Sequence, residues 1–166
     1  MISMETNQIF LQAVELEKEN KEEAFSYYMQ AAQLGHEKSM QCVAYYYSIQ
    51  NNYTMALQWY LKLAHMGNVN AMYMVGLYYK QGKGTTIDYK TSMFWLNQVE
   101  NMNAWYQIAD SYEKGLGVPA SSSLSIEFYL KAAKAGHVRA MYELARIFQQ
   151  ESTYWLEQAE KNNTND

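Results

Sequence analysis

Proline and cysteine are almost missing from this 166-residue chain, which has one of each. There is also no sustained alternation of β-branched and polar residues. That leaves little room for strands, whereas Ala, Met, Leu, Gln, Glu and Lys favour helix, so an all-α protein is predicted. Cys42 cannot close an intramolecular disulfide, which fits a reducing compartment. Nothing around it in sequence marks a lowered thiol pKa, so it reads as a small filler rather than a nucleophile. A basic stripe able to track a phosphate backbone is lacking, which argues against a nucleic-acid partner. Met1-Ile2-Ser3-Met4-Glu5 has no positive start and leads into no long apolar run. Neither a secretory signal nor a membrane span is expected, and the expected compartment is the cytoplasm. The net charge of −4 is concentrated near the start, where residues 1–37 hold seven glutamates and two lysines. These glutamates read as the solvated face of an end-capping hairpin.

Aromatic residues are plentiful at 15 %, including sixteen tyrosines and four tryptophans, enough to fill a packed core. Four segments are variants of one another: Ser39-Met40-Gln41-Cys42-Val43-Ala44, Ala71-Met72-Tyr73-Met74-Val75-Gly76, Ala104-Trp105-Tyr106-Gln107-Ile108-Ala109 and Ala140-Met141-Tyr142-Glu143-Leu144-Ala145. Their starts lie 32, 33 and 36 residues apart, the period of stacked helical hairpins. A second set aligns as well. It begins at Ala24, Ala56, Ser92 and Ser125, with an aromatic at the fourth position (Tyr27, Trp59, Trp95, Phe128), and Tyr154-Trp155-Leu156-Glu157-Gln158-Ala159 is a fifth, shortened copy.

Punctuation marks both ends of this second helix. Asn20, Asn52, Asp88 and Ser121 stand four residues before the four starts and are predicted N-caps, so second helices should begin near Lys21, Tyr53, Tyr89 and Ser122, with a fifth near Ser152. Gly35, Gly67 and Gly136 are predicted to end helices in the left-handed conformation; in the third copy Asn101 or Asn103 would take that role.

The loops Gly82-Lys83-Gly84-Thr85-Thr86-Ile87-Asp88 and Gly115-Leu116-Gly117-Val118 carry a more specific pattern. With Phe128-Tyr129-Leu130-Lys131-Ala132-Ala133-Lys134-Ala135-Gly136, they make the chain resemble the Sel1-like repeat family, a relative of the tetratricopeptide repeat. The resemblance covers roughly residues 20–160. In register with a repeat, Gly-x-Gly reads as turn geometry rather than a phosphate loop.

The resemblance implies an all-α solenoid of about five antiparallel helix pairs in a right-handed superhelix. One repeat domain over residues 1–166 is expected, with hairpins near 5–35, 37–67, 69–102, 103–136 and 138–162 and a disordered tail at 163–166. It also implies a non-catalytic adaptor or scaffold, and some bacterial members neutralise secreted toxins. Exported members often carry paired cysteines, so the single Cys42 argues against an extracellular role.

Helical geometry divides each first helix. Counted from its opening small residue, positions 0, +1, +4, +5 and +8 share one arc and are predicted core, with small residues at 0 and +5 permitting close approach. Positions +2, +3 and +6 oppose it, and in related superhelices the first helices line the concave side. The candidate partner-binding residues are therefore Tyr45, then Tyr73, Met74 and Leu77, then Tyr106, Gln107 and Asp110, then Tyr142, Glu143 and Arg146. For Tyr73, Tyr106 and Tyr142, packing between hairpins is an equal alternative, whereas Met74 and Leu77 read as interface.

His36, His65 and His137 fall at positions that the repeat explains. No pair of histidines has metal-ligand spacing on one helix, and no Gly-x-Ser-x-Gly, phosphate loop or His-Glu-x-x-His occurs, so no catalytic, cofactor or metal residues are assigned. The leading expectation is a protein partner bound on the concave face, by a monomer or weak oligomer. Its sharper form is a bacterial immunity protein neutralising a toxin or effector. The alternatives are a regulatory or assembly adaptor and, from another class, a hydrolase with a site assembled across repeats from residues such as Asp110, Glu143 and His137.

Overall fold

The structure, a computed structural model, describes residues 4–163, with side chains for residues 4–150 and Thr153. Among these residues it contains nine α-helices and no strand, in the order of a helical-repeat solenoid. The chain divides into two compact units, Met1–Val99 and Glu100–Asp166.

The first unit holds α1 (Met4–Leu16), α2 (Lys21–Gln33), α3 (Glu37–Ile49), α4 (Tyr53–His65), α5 (Val69–Gln81) and α6 (Tyr89–Leu96). Both its second-helix starts after α2 and α2 itself lie at the predicted residues, because the caps form. Asn20, Asn52 and Asp88 accept from the backbone N–H groups of Glu23, Met55 and Thr91. Gly35 and Gly67 have φ of +91° and +90°. After α2, the N–H of His36 reaches back to Ala31 O and that of Gly35 to Ala32 O, which satisfies two carbonyls left free at the helix end. The turn between α3 and α4 lacks glycine. There Asn51 takes φ +59°, the one non-glycine residue described in that region.

First helices are capped too, and histidine is one of the caps. His36 Nδ1 accepts from Ser39 N at 3.2 Å and lies 2.9 Å from Ser39 Oγ. Asn68 does the same for α5, accepting from Ala71 N at 3.0 Å. The repeat register alone had accounted for His36; its capping contact gives that position a local cause.

Each helix of this unit packs on the next, around a core that includes Val43, Ala56, Leu63 and Val75. Tyr60 and Tyr78 meet edge to face at 5.6 Å inside it. The predicted core arc is buried or half-buried throughout α3 and α5. Gly76, at position +5 of α5, shows why that position is small: a Cβ there would lie 2.8 Å from Leu96 Cγ on α6.

The third pair departs from expectation at its end. Neither Asn101 nor Asn103 terminates α6, which stops at Leu96 with Asn97 in the right-handed region. Asn101, at φ −148°, instead caps the following helix by accepting from Ala104 N. It is α6 that is short, at eight residues, so the five-residue connection 97–101 puts Asn101 beyond the end of α6 and beside the first turn of the next helix.

The second unit holds α7 (Met102–Lys114), α8 (Ser122–Lys134) and α9 (Val138–Asn163). Ser121 caps α8 through Leu124 N, Gly136 has φ +95°, and His137 Nδ1 accepts from Ala140 N at 3.2 Å, repeating the His36 arrangement. A second helix starting near Ser152 does not form, because α9 runs through that position without interruption. The segment Gln149-Gln150-Glu151-Ser152 offers no Gly, Pro or Asn to stop a helix, and Thr153 Oγ1 donates to Gln149 O one turn back at 2.8 Å. Without that turn, Met141, Ala145 and Phe148, at positions +1, +5 and +8, are exposed although their counterparts in earlier repeats are covered. Of the tail expected at 163–166, residues 164–166 lie outside the described residues.

Candidate functional site

In the first unit, α2 and α3 form the walls of a groove of about 300 Å³. Cys42, Tyr45, Tyr46 and Ile49 recur on α3 at i, i+3, i+4 and i+7, a spacing that sets them along one stripe. Phe25 and Tyr28 of α2 face them, and Glu17 and Lys21 supply the charges. Phe25 stacks on Tyr46 with ring centroids 4.0 Å apart and a 21° interplanar angle, which fixes both rings. Tyr28 donates through its hydroxyl to Glu17 Oε2 at 2.9 Å. Burial, and then this bond, push the Tyr28 pKa up. Burial, and then the Glu17 carboxylate, likewise raise the Cys42 thiol pKa, which disfavours the thiolate and leaves this side chain as a wall of the groove.

Besides the charged Glu17 and Lys21, two large side chains of this groove remain open to solvent: Tyr45 is 62 % exposed and Ile49 57 %. Of the candidate partner-binding residues, Tyr45 is thus placed where a partner can reach it. Tyr73, Met74 and Leu77 on α5 are only half-buried, and Met74 packs against the unit's core. Burial raises the Tyr73 hydroxyl pKa. The helical wheel fixes directions about one axis; the neighbouring helices decide which directions are covered.

The second unit gathers Tyr106, Asp110, Glu143 and Arg146 into one charged cluster. Tyr106 stacks on His137 at 4.5 Å and 15°, and its pKa is raised by burial, then by Glu143 and Asp110. Glu113, 33 residues from Arg146 in sequence, is the hub that sequence reasoning missed. It accepts from the buried Tyr129 hydroxyl at 2.8 Å through one carboxylate oxygen and from Arg146 Nη2 through the other. Arg146 Nε also donates to Glu143 at 2.8 Å. These two carboxylates hold the Arg146 pKa well above its usual range. Asp110 pairs with Lys114. Gln107 is half-buried, whereas Tyr142 is 73 % exposed. The second unit therefore presents Tyr142 to solvent and uses Arg146 to tie α7 to α9.

Groove residues Phe25, Tyr28, Tyr46 and Ile49 were also missed by the three-position arc. The i, i+3, i+4, i+7 spacing from Cys42 was the available signal. Among the described residues no group of three or more His, Cys, Asp or Glu could hold a metal, and no helix is long and apolar enough to cross a membrane.

A model of the Sel1 repeat matches residues 13–36, 42–68, 69–98 and 104–137. Among solved structures, the chain is similar to a Sel1 repeat protein from Oxalobacter formigenes, with TM-score 0.68 and 27 % identity over 92 % of this chain and 69 % of that one. It is also similar in fold to a protective antigen of uropathogenic Escherichia coli strains that displays an SLR fold, with TM-score 0.73, 21 % identity and 88 % of this chain covered. The chain spans 34 % of that antigen's length. No curated protein matches the chain.

Proposed function

The chain belongs to the Sel1 repeat family, whose members are commonly protein-interaction modules and generally non-catalytic scaffolds, and on that premise we propose that it binds a protein client through its first-helix faces. The observation that carries the reading is the exposure of Tyr45 and Ile49 on the aromatic groove of the first unit. An open tyrosine beside a preformed apolar wall supplies contact area at low entropic cost, as interface anchors do. Tyr142, exposed on α9, offers a second anchor of the same chemistry. Tyr73, Met74, Leu77, Tyr106 and Gln107 contribute as supporting contacts, and Asp110, Glu143 and Arg146 set the electrostatic field in which a client docks.

In this reading the chain acts in a bacterial cytoplasm as a monomer or weak oligomer, holding its client without turnover. The sharper form is neutralisation of a toxin or effector, and an adaptor that retains an assembly client is the alternative. Immobilised chain should retain a client from native cells that Tyr45→Ala and Tyr142→Ala baits release. Retention equal for wild type and both variants would reject these anchors. Expressing the retained protein alone separates the two forms: growth arrest relieved by this chain supports neutralisation, and unimpaired growth supports the adaptor.

A further inference from the structure

We infer that the α2–α3 groove seats one apolar side chain of a basic peptide segment, so that the client's contact element is a bulky apolar residue flanked by lysine or arginine. This rests on the protein-binding reading and names the chemistry of its site. A volume of about 300 Å³ lies at the small end of ligand pockets, room for one large side chain or two small ones and not for a folded surface. Phe25, Tyr28, Tyr46 and Ile49 make its walls mainly apolar and reward burial of apolar area, and the Tyr28 hydroxyl is already engaged by Glu17.

Charge selects the flanks. The corner joining α1 to α2 runs beside the groove, with Glu17 and Lys21 both lining it. Over this corner Glu15, Glu17, Glu19, Glu22 and Glu23 outnumber Lys18 and Lys21, and all seven are exposed. An acidic segment entering here would meet like charge; a basic one is drawn in and oriented. The exposed Tyr45 ring adds a cation-accepting face. The chain already uses such faces internally, with Lys62 Nζ 4.2 Å above Trp59 and Lys83 Nζ 5.1 Å above Tyr53.

The test is a random dodecapeptide display library panned on the full chain, followed by titration of synthetic copies of the enriched peptides. The expected enrichment is a Leu, Phe, Met or Trp with Lys or Arg within three positions. Tyr45→Ala combined with Ile49→Ser, both exposed and therefore compatible with the fold, should weaken the peptide at least tenfold. Glu17→Gln, which keeps an acceptor for Tyr28, should weaken it less and flatten its salt dependence. Bound peptide should also slow alkylation of Cys42. Enriched peptides that are acidic or lack a basic residue would overturn the proposal, as would groove variants that bind them unchanged. If peptides bind but depend on Tyr142 instead, the groove assignment fails while the protein-binding reading stands. If neither peptide nor cellular client is retained anywhere on the chain, that reading fails as well.

Discussion

Replacing Gly84 by alanine would place a methyl carbon 2.3 Å from the carbonyl oxygen of Tyr53 and 2.7 Å from the backbone nitrogen of Thr54. Both atoms belong to the first turn of α4, whose geometry is held by the Asn52 cap on Met55 N, so the loop joining α5 to α6 must yield instead. Gly84 also sits at φ +70°, where an alanine costs about 1–2 kcal/mol from crowding against its own backbone. Displacing a packed loop by roughly an ångström adds about 1–3 kcal/mol, the usual cost of overpacking. A total loss of about 2–5 kcal/mol follows from these two contributions. Gly67 supplies the control: its φ is +90°, but an added Cβ would meet nothing within 4 Å. Gly67→Ala should therefore lose only the conformational part, about 1 kcal/mol. Urea unfolding of both variants, followed by far-ultraviolet circular dichroism, measures the difference directly. Equal losses in the two variants, or a Gly84→Ala midpoint unchanged from wild type, would refute the contact between this loop and α4.

Tyr45→Ala should leave stability within about 0.5 kcal/mol of wild type, whereas Met74→Ala, which removes a side chain packed on the core, should cost about 1–3 kcal/mol; urea midpoints separate the two. Burial, then Lys38, lowers the His36 pKa below its ordinary 6.5, so the cap on Ser39 contributes fully above that value and is lost as pH falls. Unfolding midpoints should drop from pH 7 to pH 5, with a shallower slope in His36→Asn. Burial, then the neighbouring Tyr78, pushes Tyr60 up to about 12 from 10.0, so its contribution is complete below pH 10 and disappears as pH rises through about 12. Tyr60→Phe should flatten that alkaline decline in a melting series. Tyr129→Phe should cost about 0.5–1.5 kcal/mol at neutral pH by removing a buried donor from Glu113, measured by the same unfolding assay.

Much of the fold was legible because its signals are local. An Asn, Asp or Ser four residues before a small, aromatic-rich segment caps a helix through atoms three residues apart, so Asn20, Asn52, Asp88 and Ser121 reveal helix starts without tertiary knowledge. Gly35, Gly67 and Gly136 reveal ends for the same reason. The apolar arc of α3 and α5 follows from the 3.6-residue period. His36 and His137 as caps were harder to read, since imidazole caps only as a neutral acceptor and seldom replaces an Asx side chain.

The candidate site was less legible. Tyr45 and Tyr142 were named among ten residues on one arc, and the sequence favoured Met74 and Leu77 as interface over several of the tyrosines because a helical wheel carries no information about neighbouring helices. Only packing distinguishes the open Tyr45 from the half-buried Tyr73, Met74 and Leu77. The Glu113–Arg146 pair, 33 residues apart, and the approach of Gly84 to Tyr53, 31 residues away, exist because separate hairpins meet. The sequence by itself determined the repeat register, the starts of α2, α4, α6 and α8 and the glycine turns at Gly35, Gly67 and Gly136, all of which depend on interactions within a few residues. The tertiary structure decided which faces stay exposed, where α2 and α3 leave a groove, and which charges are already paired, because each depends on distances between segments that no spacing along the chain encodes.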